Sequence, residues 1–449
     1  MDKNKLGIYI HIPFCLRKCL YCDFLSDKAC ESDRADYVEA LCNEIKYFAI
    51  TDGKLTESHI VRTVFFGGGT PSVLEGGQIA TIMDTLRDRF EIAKDAEITI
   101  ECNPGTASKE KMIQWRAAGI NRLSIGLQSA NDDELKNLGR IHDYEQFLNT
   151  YKWAREAGFE NVNVDLMSAI PGQTLESYRN TLEKVIDLKP EHISAYSLII
   201  EEGTPFYDMN EEGKLALPDE DTEREMYYLT KQLLSENGYH RYEISNYSLE
   251  GFECEHNKSY WIGTEYLGFG LGAASYCDGL RYNNTEDMFV YMNACNSLNR
   301  ATNETLYTEY YSRDNEEALF GDDEEDEQRD ENCGADENCG ADVNGGADEN
   351  CGADESLADI LIADKYHEAV SKLSQNEKME EFMFLGLRMT GGVSKDEFEK
   401  RFHISMDEIY GKALKKLTDE ELLVEEGNRV RLTDRGIDVS NIALANFLL

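Results

Sequence analysis

Six short segments in the first half of the chain carry the apolar alternation of strands: GIYIHI (7–12), VRTVFF (61–66), EITIEC (97–102), NRLSIGL (121–127), NVNVDLM (161–167) and HISAYSL (192–198). Between them apolar residues recur at three- and four-residue steps, as at Tyr37, Leu41, Ile45 and Phe48 or Leu175, Tyr178, Leu182 and Val185. That is the period of a helix with one packed side. Six strand–helix alternations predict an α/β fold on a parallel sheet, either a barrel-like arc or an open doubly wound sheet. In both, chemistry gathers at the carboxyl ends of the strands.

Beyond Ser356 the pattern changes. Residues 378–402 and 413–437 predict helix, turn, helix, helix and a short two-stranded wing. The expected organisation is a barrel over 1–205, a connecting α/β region over 206–311, an acidic segment over 312–357, and a helical, winged-helix-like C-terminal domain over 358–449.

Composition separates the acidic segment from the rest. The 449 residues have a formal charge of −42, and between Asp314 and Glu355 there are 18 acids and one base, Arg329. Inside this stretch DENCGADENCGADVNGGADENCGAD (330–354) repeats with a period of six. Its carboxylates and Asn oxygens suit calcium, and Cys333, Cys339 and Cys351 suit a softer metal. Its lack of apolar residues predicts a solvated, disordered insert. A balance this acidic excludes general nucleic-acid binding, for which a basic footprint is needed, and the C-terminal wing carries many acids among its bases. No apolar run is long enough to cross a bilayer and no secretory core follows Met1, so a cytoplasmic protein is expected. Twelve cysteines in that setting read as thiols and metal ligands.

The polar oddities sit where the predicted strands end. GGGTP (67–71) follows the second strand, Glu101 to Pro104 closes the third, Gln128 closes the fourth, and Asp165 lies in the fifth. Each alone has an ordinary reading as turn, cap or satisfied core amide. Their shared rim is what suggests a site. Cys15, Cys19 and Cys22 follow the first strand in a C-x3-C-x2-C array. Zinc completed by His11 or Asp23 is one reading. A [4Fe–4S] cube, held by three thiolates with its fourth iron open, is the other.

This array, with Tyr21 before its third cysteine and GGGTP after the second strand, resembles the radical S-adenosylmethionine superfamily. FFGGGTPS, IECNPGT, LSIGLQS, LGRIHD, IPGQT, HISAYSLIIEEGTPF and HNKSYWIGTEYLGFGLGAASY resemble its haem-chaperone branch, close to the oxygen-independent coproporphyrinogen III oxidases. The likeness spans nearly the whole chain outside the acidic insert. It implies a partial (β/α)6 barrel and a cluster on Cys15, Cys19 and Cys22. S-adenosylmethionine (SAM) would chelate the open iron, flanked by Tyr9 and Tyr21. Gly68, Gly69 and Thr70 are then expected at its amino group, Glu101 at its ribose, and Gln128, Arg140 and Asp165 around it. Ile199 is expected at the adenine through its backbone.

The resemblance further implies haem and an unidentified acceptor protein as partners, with His256 as candidate haem ligand between Tyr260 and Trp261. Cys254 and Cys277 are alternative thiolate ligands or simply buried thiols. Ala274 stands where some relatives carry a further histidine, and Ala169 replaces a glycine common before the IPGQ turn. Phe24 stands where the oxidases carry an additional cysteine, and their longer N-terminal segment is absent before Cys15. The leading expectation is therefore haem binding and delivery, the alternative is an anaerobic coproporphyrinogen III oxidase, and a third class is a structural zinc protein.

Overall fold

The computed structural model describes residues 3–298 and 366–449. The acidic insert expected over 312–357 lies outside the described residues. Six strands carry the first half: β1 Asn4–Ile12, β2 His59–Gly68, β3 Ile92–Cys102, β4 Arg122–Gln128, β5 Asn161–Ser168 and β6 His192–Ser197. They pair in chain order, all parallel, as the six β/α units of a partial barrel.

The sheet continues past both edges. Beyond β6 come the short antiparallel β7 (His240–Arg241) and β8 (Asn246–Ser248). On the other side β9 (Glu265–Phe269) runs parallel to β1 and leads to antiparallel β10 (Ala274–Cys277), β11 (Leu280–Asn284) and β12 (His367–Lys372). Among the described residues the result is one twelve-stranded sheet. The sequence boundary at 358 assigned 367–372 to the helical domain, whereas its backbone hydrogen-bonds to β11.

The two faces of the barrel strands differ in chemistry because successive side chains point to opposite sides. Ile8, Ile10, Val64, Phe66, Ile100, Leu123, Ile125, Val162, Val164 and Ile193 are wholly buried in the main core. Helix Glu31–Thr51 adds Tyr37, Leu41, Ile45 and Phe48 to that core, and Leu175–Leu188 adds Tyr178, Leu182 and Val185. Each such aliphatic side chain contributes roughly 1.5–3 kcal/mol on leaving water. The alternate positions are polar and line the lumen, among them Glu101, Arg122, Ser124, Asn163, Asp165 and Ser194.

Local chemistry sets the helix limits. Thr174 caps helix Leu175–Leu188 by accepting from the Ser177 amide at 3.1 Å, and Lys189 ends it in the left-handed region at φ 53°. Asp143 and Gln146 form a reciprocal capping box for helix Tyr144–Glu156.

The C-terminal domain has its own core of Met383, Phe398, Leu414, Leu417, Val430 and Phe447. Helices Gln375–Gly386, Lys395–Phe402 and Met406–Asp419 are followed by strands Leu423–Glu426 and Arg429–Leu432, the expected wing. No helix among the described residues is long and apolar enough to cross a membrane.

Candidate metal and cofactor centre

The cysteines occupy a loop that begins at Pro13, where β1 stops. Its two ends are stitched together: the Cys15 amide donates to the Asp27 carbonyl at 2.9 Å, and the Asp27 amide to the Pro13 carbonyl at 2.9 Å. Its middle is pinned to the barrel rim by the Leu20 amide on the Leu138 carbonyl and the Phe206 amide on the Leu20 carbonyl, each 3.0 Å. Cys15, Cys19 and Cys22 are half-buried free thiols. Burial pushes the Cys22 thiol up to about 11, so an adjacent positive centre is needed to make it a thiolate at neutral pH.

The GGT turn lies directly against this loop. The Gly69 amide donates to the Ile12 carbonyl at 2.9 Å, and Thr70 Oγ1 stands 3.2 Å from Cys15 Sγ. Gly68 has φ 105° and a Cβ there would meet the His11 ring at 2.6 Å. A Cβ on Gly69 would stand 2.8 Å from the Phe14 carbonyl oxygen. Only glycine allows this backbone to approach the loop so closely.

Arg140 closes the opposite side, with Nη1 3.7 Å from Cys19 Sγ and Nη2 donating to the Gly126 carbonyl at 2.6 Å. Its Nε is buried without a partner. Gln128 ends β4 with φ 71°, a strained conformation for a residue with a side chain. Burial, with Asp165 adding repulsion, pushes the Glu101 carboxyl up to about 8. Burial also raises Asp165, which accepts from Asn163 Nδ2 at 2.7 Å and from the Ser124 hydroxyl at 3.2 Å.

One cleft thus joins Cys15, Cys19, Cys22, Tyr21, Gly68, Gly69, Thr70, Glu101, Gln128, Arg140 and Asp165. Phe24 is on its rim, 60% exposed. Tyr9 lies deeper, in the lumen, with its hydroxyl 3.1 Å from His11 Nδ1. The other ring nitrogen of His11 bonds the Leu25 carbonyl at 3.0 Å, so the imidazole is fully engaged away from the thiols. Ile199 is 67% exposed beyond β6 and is not on the cleft wall.

His256 is in a different setting from an open haem face. It is 1% exposed at the base of the lumen, with Nδ1 2.8 Å from Thr63 Oγ1 and Nε2 2.9 Å from the Tyr260 hydroxyl. Its ring stacks on Phe65 at 5.0 Å, and burial, helped by Arg122, drops its pKa to about 3. Tyr260 meets His256 and Tyr266 edge-on, while Trp261 turns away to lie under Arg388 at 4.4 Å. Cys254 is buried with Sγ donating to Glu97 at 3.4 Å, and Cys277 is buried. Sequence reasoning passed over Arg122, Ser124, Asn163 and Ser194, which line the same lumen.

In a cube each of the three half-buried thiols of the loop would reach its own iron, and among the described residues no group of three or more His, Cys, Asp or Glu is placed to hold a metal ion. The partnerless Arg140 Nε and the glycine-lined approach leave a donor and space for a bound carboxylate and amine beside the thiols.

The family model described as Radical SAM superfamily matches residues 9–185, and that described as HemN C-terminal domain matches 373–439. Heme chaperone HemW of Lactococcus lactis is 32% identical over 441 residues, covering 98% of this chain and 97% of its own length. HemW of Bacillus subtilis is 32% identical over 443 residues, 98% of each chain. HemW of Escherichia coli is 41% identical over 269 residues, 60% of this chain and 69% of its own. The solved coproporphyrinogen III oxidase HemN of Escherichia coli shares the fold, with a TM-score of 0.74 at 21% identity over 99% of this chain and 90% of that one. With its rim of three cysteines, glycine turn and arginine, and full-length likeness to two HemW proteins, the chain belongs to the HemW family of the radical SAM superfamily.

Proposed function

We propose that this chain binds haem and passes it to an acceptor protein, and that it carries a [4Fe–4S] cluster on Cys15, Cys19 and Cys22 with SAM in the adjoining cleft. The single observation behind the cofactor assignment is the meeting of the cysteine loop with Thr70 and Arg140, at 3.2 Å from Cys15 and 3.7 Å from Cys19. When bound, the cluster supplies an open iron for SAM and one-electron chemistry. Gly68 and Gly69 offer backbone carbonyls to the SAM amino group. Arg140 pairs with its carboxylate as a planar donor, and Glu101 accepts from the ribose hydroxyls. Tyr21 and Gln128 complete the cleft wall.

The haem assignment is supported by the name shared by the relatives. Ligation by His256 requires helix Glu255–Trp261 to loosen from the lumen, because both ring nitrogens are hydrogen-bonded where they stand. We place the carrier in the cytoplasm, where thiol ligands persist.

Anaerobic reconstitution of one sample tests the whole reading: iron and sulfide analysis, a haem titration, and incubation with coproporphyrinogen III, reductant and SAM. The expected result is roughly four irons and one haem per chain with coproporphyrinogen III unconverted. Sustained formation of protoporphyrinogen IX makes the chain an oxidase, and zinc without sulfide makes the loop a structural site.

A further inference from the structure

The turn that carries Arg140 leaves a helix of six residues, Asp132–Asn137, which is too short to be stable without outside contacts. At its centre Glu134 is 4% exposed, and its carboxylate accepts from the Ser129 hydroxyl at 2.6 Å, the Gln173 side-chain amide at 2.9 Å and the Ser177 hydroxyl at 2.6 Å. The three donors come from three places. Ser129 follows the last residue of β4, Gln173 lies in the turn after β5, and Ser177 is in the first turn of helix Leu175–Leu188. Gln173 is itself oriented, because its side-chain oxygen accepts from the Ile170 amide at 3.3 Å and leaves the NH2 group for Glu134.

From this anchor the chain runs directly to the cofactor cleft. The Arg140 amide donates to the Leu135 carbonyl at 3.0 Å, and the Leu138 carbonyl accepts from the Leu20 amide of the cysteine loop at 3.0 Å. Any slide of the short helix therefore moves Arg140 relative to β4, where Nη2 is seated on the Gly126 carbonyl. The bond from Ser129 also steadies the neighbouring Gln128 in its left-handed conformation. Glu134 itself stands outside the cleft wall.

We propose that Glu134 is a positioning residue for SAM: by fastening helix Asp132–Asn137 to the ends of β4 and β5, it sets where the Arg140 guanidinium meets the SAM carboxylate. This rests on the SAM reading above. All three donors are neutral, so Glu134 contributes reach and acceptor geometry. Glutamine retains both: its oxygen can take the Ser129 and Gln173 bonds while its NH2 donates to Ser177 Oγ, whose own proton turns to the Thr174 carbonyl at 3.0 Å. Alanine leaves all three donors without their acceptor. The cysteine loop keeps its own stitches at Pro13, Cys15 and Asp27, so the cluster survives the change.

The test uses anaerobically reconstituted full-length protein as wild type, Glu134→Ala, Glu134→Gln, Arg140→Gln and the Glu134→Ala, Arg140→Gln double variant. Iron and sulfide content, SAM affinity by calorimetry, and the electron paramagnetic resonance spectrum of the reduced cluster with and without SAM are read on each. Glu134→Ala is expected to keep its iron but to bind SAM about tenfold more weakly, with the SAM-induced spectral change displaced to higher SAM by the same factor. Glu134→Gln is expected to stay within about twofold of wild type, and Glu134→Ala to cost nothing further once Arg140 is Gln, because the two act as a unit. Unchanged affinity in Glu134→Ala, joint loss of iron and SAM, or additive losses in the double variant each overturn the proposal. A wild-type cluster that ignores SAM removes the SAM reading itself, and this inference with it. Should Glu134→Ala fail to fold, Ser177→Ala, which strips one bond from the carboxylate, is expected to weaken SAM about threefold without loss of iron, and unchanged affinity there overturns the proposal.

Discussion

Arg140 touches Cys19: its Nη1 lies 3.7 Å from the thiol sulfur while Nη2 is anchored on the Gly126 carbonyl. The side chain is fixed before any ligand arrives, so it acts as a preset donor. Arg140→Gln is expected to keep its iron while losing at least tenfold in SAM affinity, about 1.4 kcal/mol, measured by anaerobic calorimetry. Unchanged affinity removes Arg140 from the SAM cradle.

Each cysteine of the loop has a separate task in a cube. Cys15→Ala, Cys19→Ala and Cys22→Ala are each expected to lose the brown chromophore and most iron after reconstitution, with the far-ultraviolet circular dichroism intact. A Cys19→Ala protein with a full four-iron cluster refutes the assignment.

His256 binds the lumen together through Thr63, Tyr260 and Phe65. His256→Ala is expected to cost about 2–4 kcal/mol in urea unfolding, from a cavity and two stranded hydroxyls. If the imidazole also ligates haem, Tyr260→Phe, which frees Nε2, binds haem more tightly and His256→Ala alters the Soret band. An unaltered Soret band in His256→Ala assigns the iron to another ligand.

Glu44 is buried, accepting from Asn284 and Tyr291 at 2.6 Å each and from the Gly270 amide at 2.9 Å, and burial raises its pKa from 4.5 to about 7. Between those values the folded state keeps a proton that the unfolded chain has released. Its contribution to stability is therefore complete below pH 4.5 and lost as pH rises through 7, by about 3 kcal/mol. The difference in urea stability between wild type and Glu44→Gln, followed from pH 4.5 to 8, is expected to carry that slope. A flat difference shows that Glu44 keeps its ordinary pKa.

Ala169 adopts φ 60° before the IPGQ turn. Left-handed backbone is disfavoured for alanine, and Ala169→Gly is expected to raise stability by about 1 kcal/mol, read as a higher Tm. A lower Tm means that the methyl group's packing outweighs the strain.

All six barrel strands were legible because each carries its own apolar period, and the rim residues were legible because they interrupt it. β9 was not: TEYLGFG is short and glycine-broken, and only its pairing with β1 makes it a strand. β12 pairs with β11 across the acidic insert, a partner that no local pattern can indicate. His256 was read from its HNKSYW neighbours, but the side chain that completes its surroundings is Thr63, on a strand nearly two hundred residues earlier. Arg122 had a signal that went unused. EITIE, RLSIG, NVNVD and HISAY all place polar residues at every second position, marking an inner face that is not a core.

That alternation divides labour along each strand. Outer faces meet helices, and exchanging Ile125 or Val164 for something smaller disturbs the close-packed interior that holds the barrel shut. Inner faces meet solvent or a guest, and trading Ser124 or Ser194 for another small polar residue leaves that packing alone. Ligand preference can consequently drift over one set of positions while foldability is policed on the other. A single frame is thereby free to acquire new guests without first being made more stable.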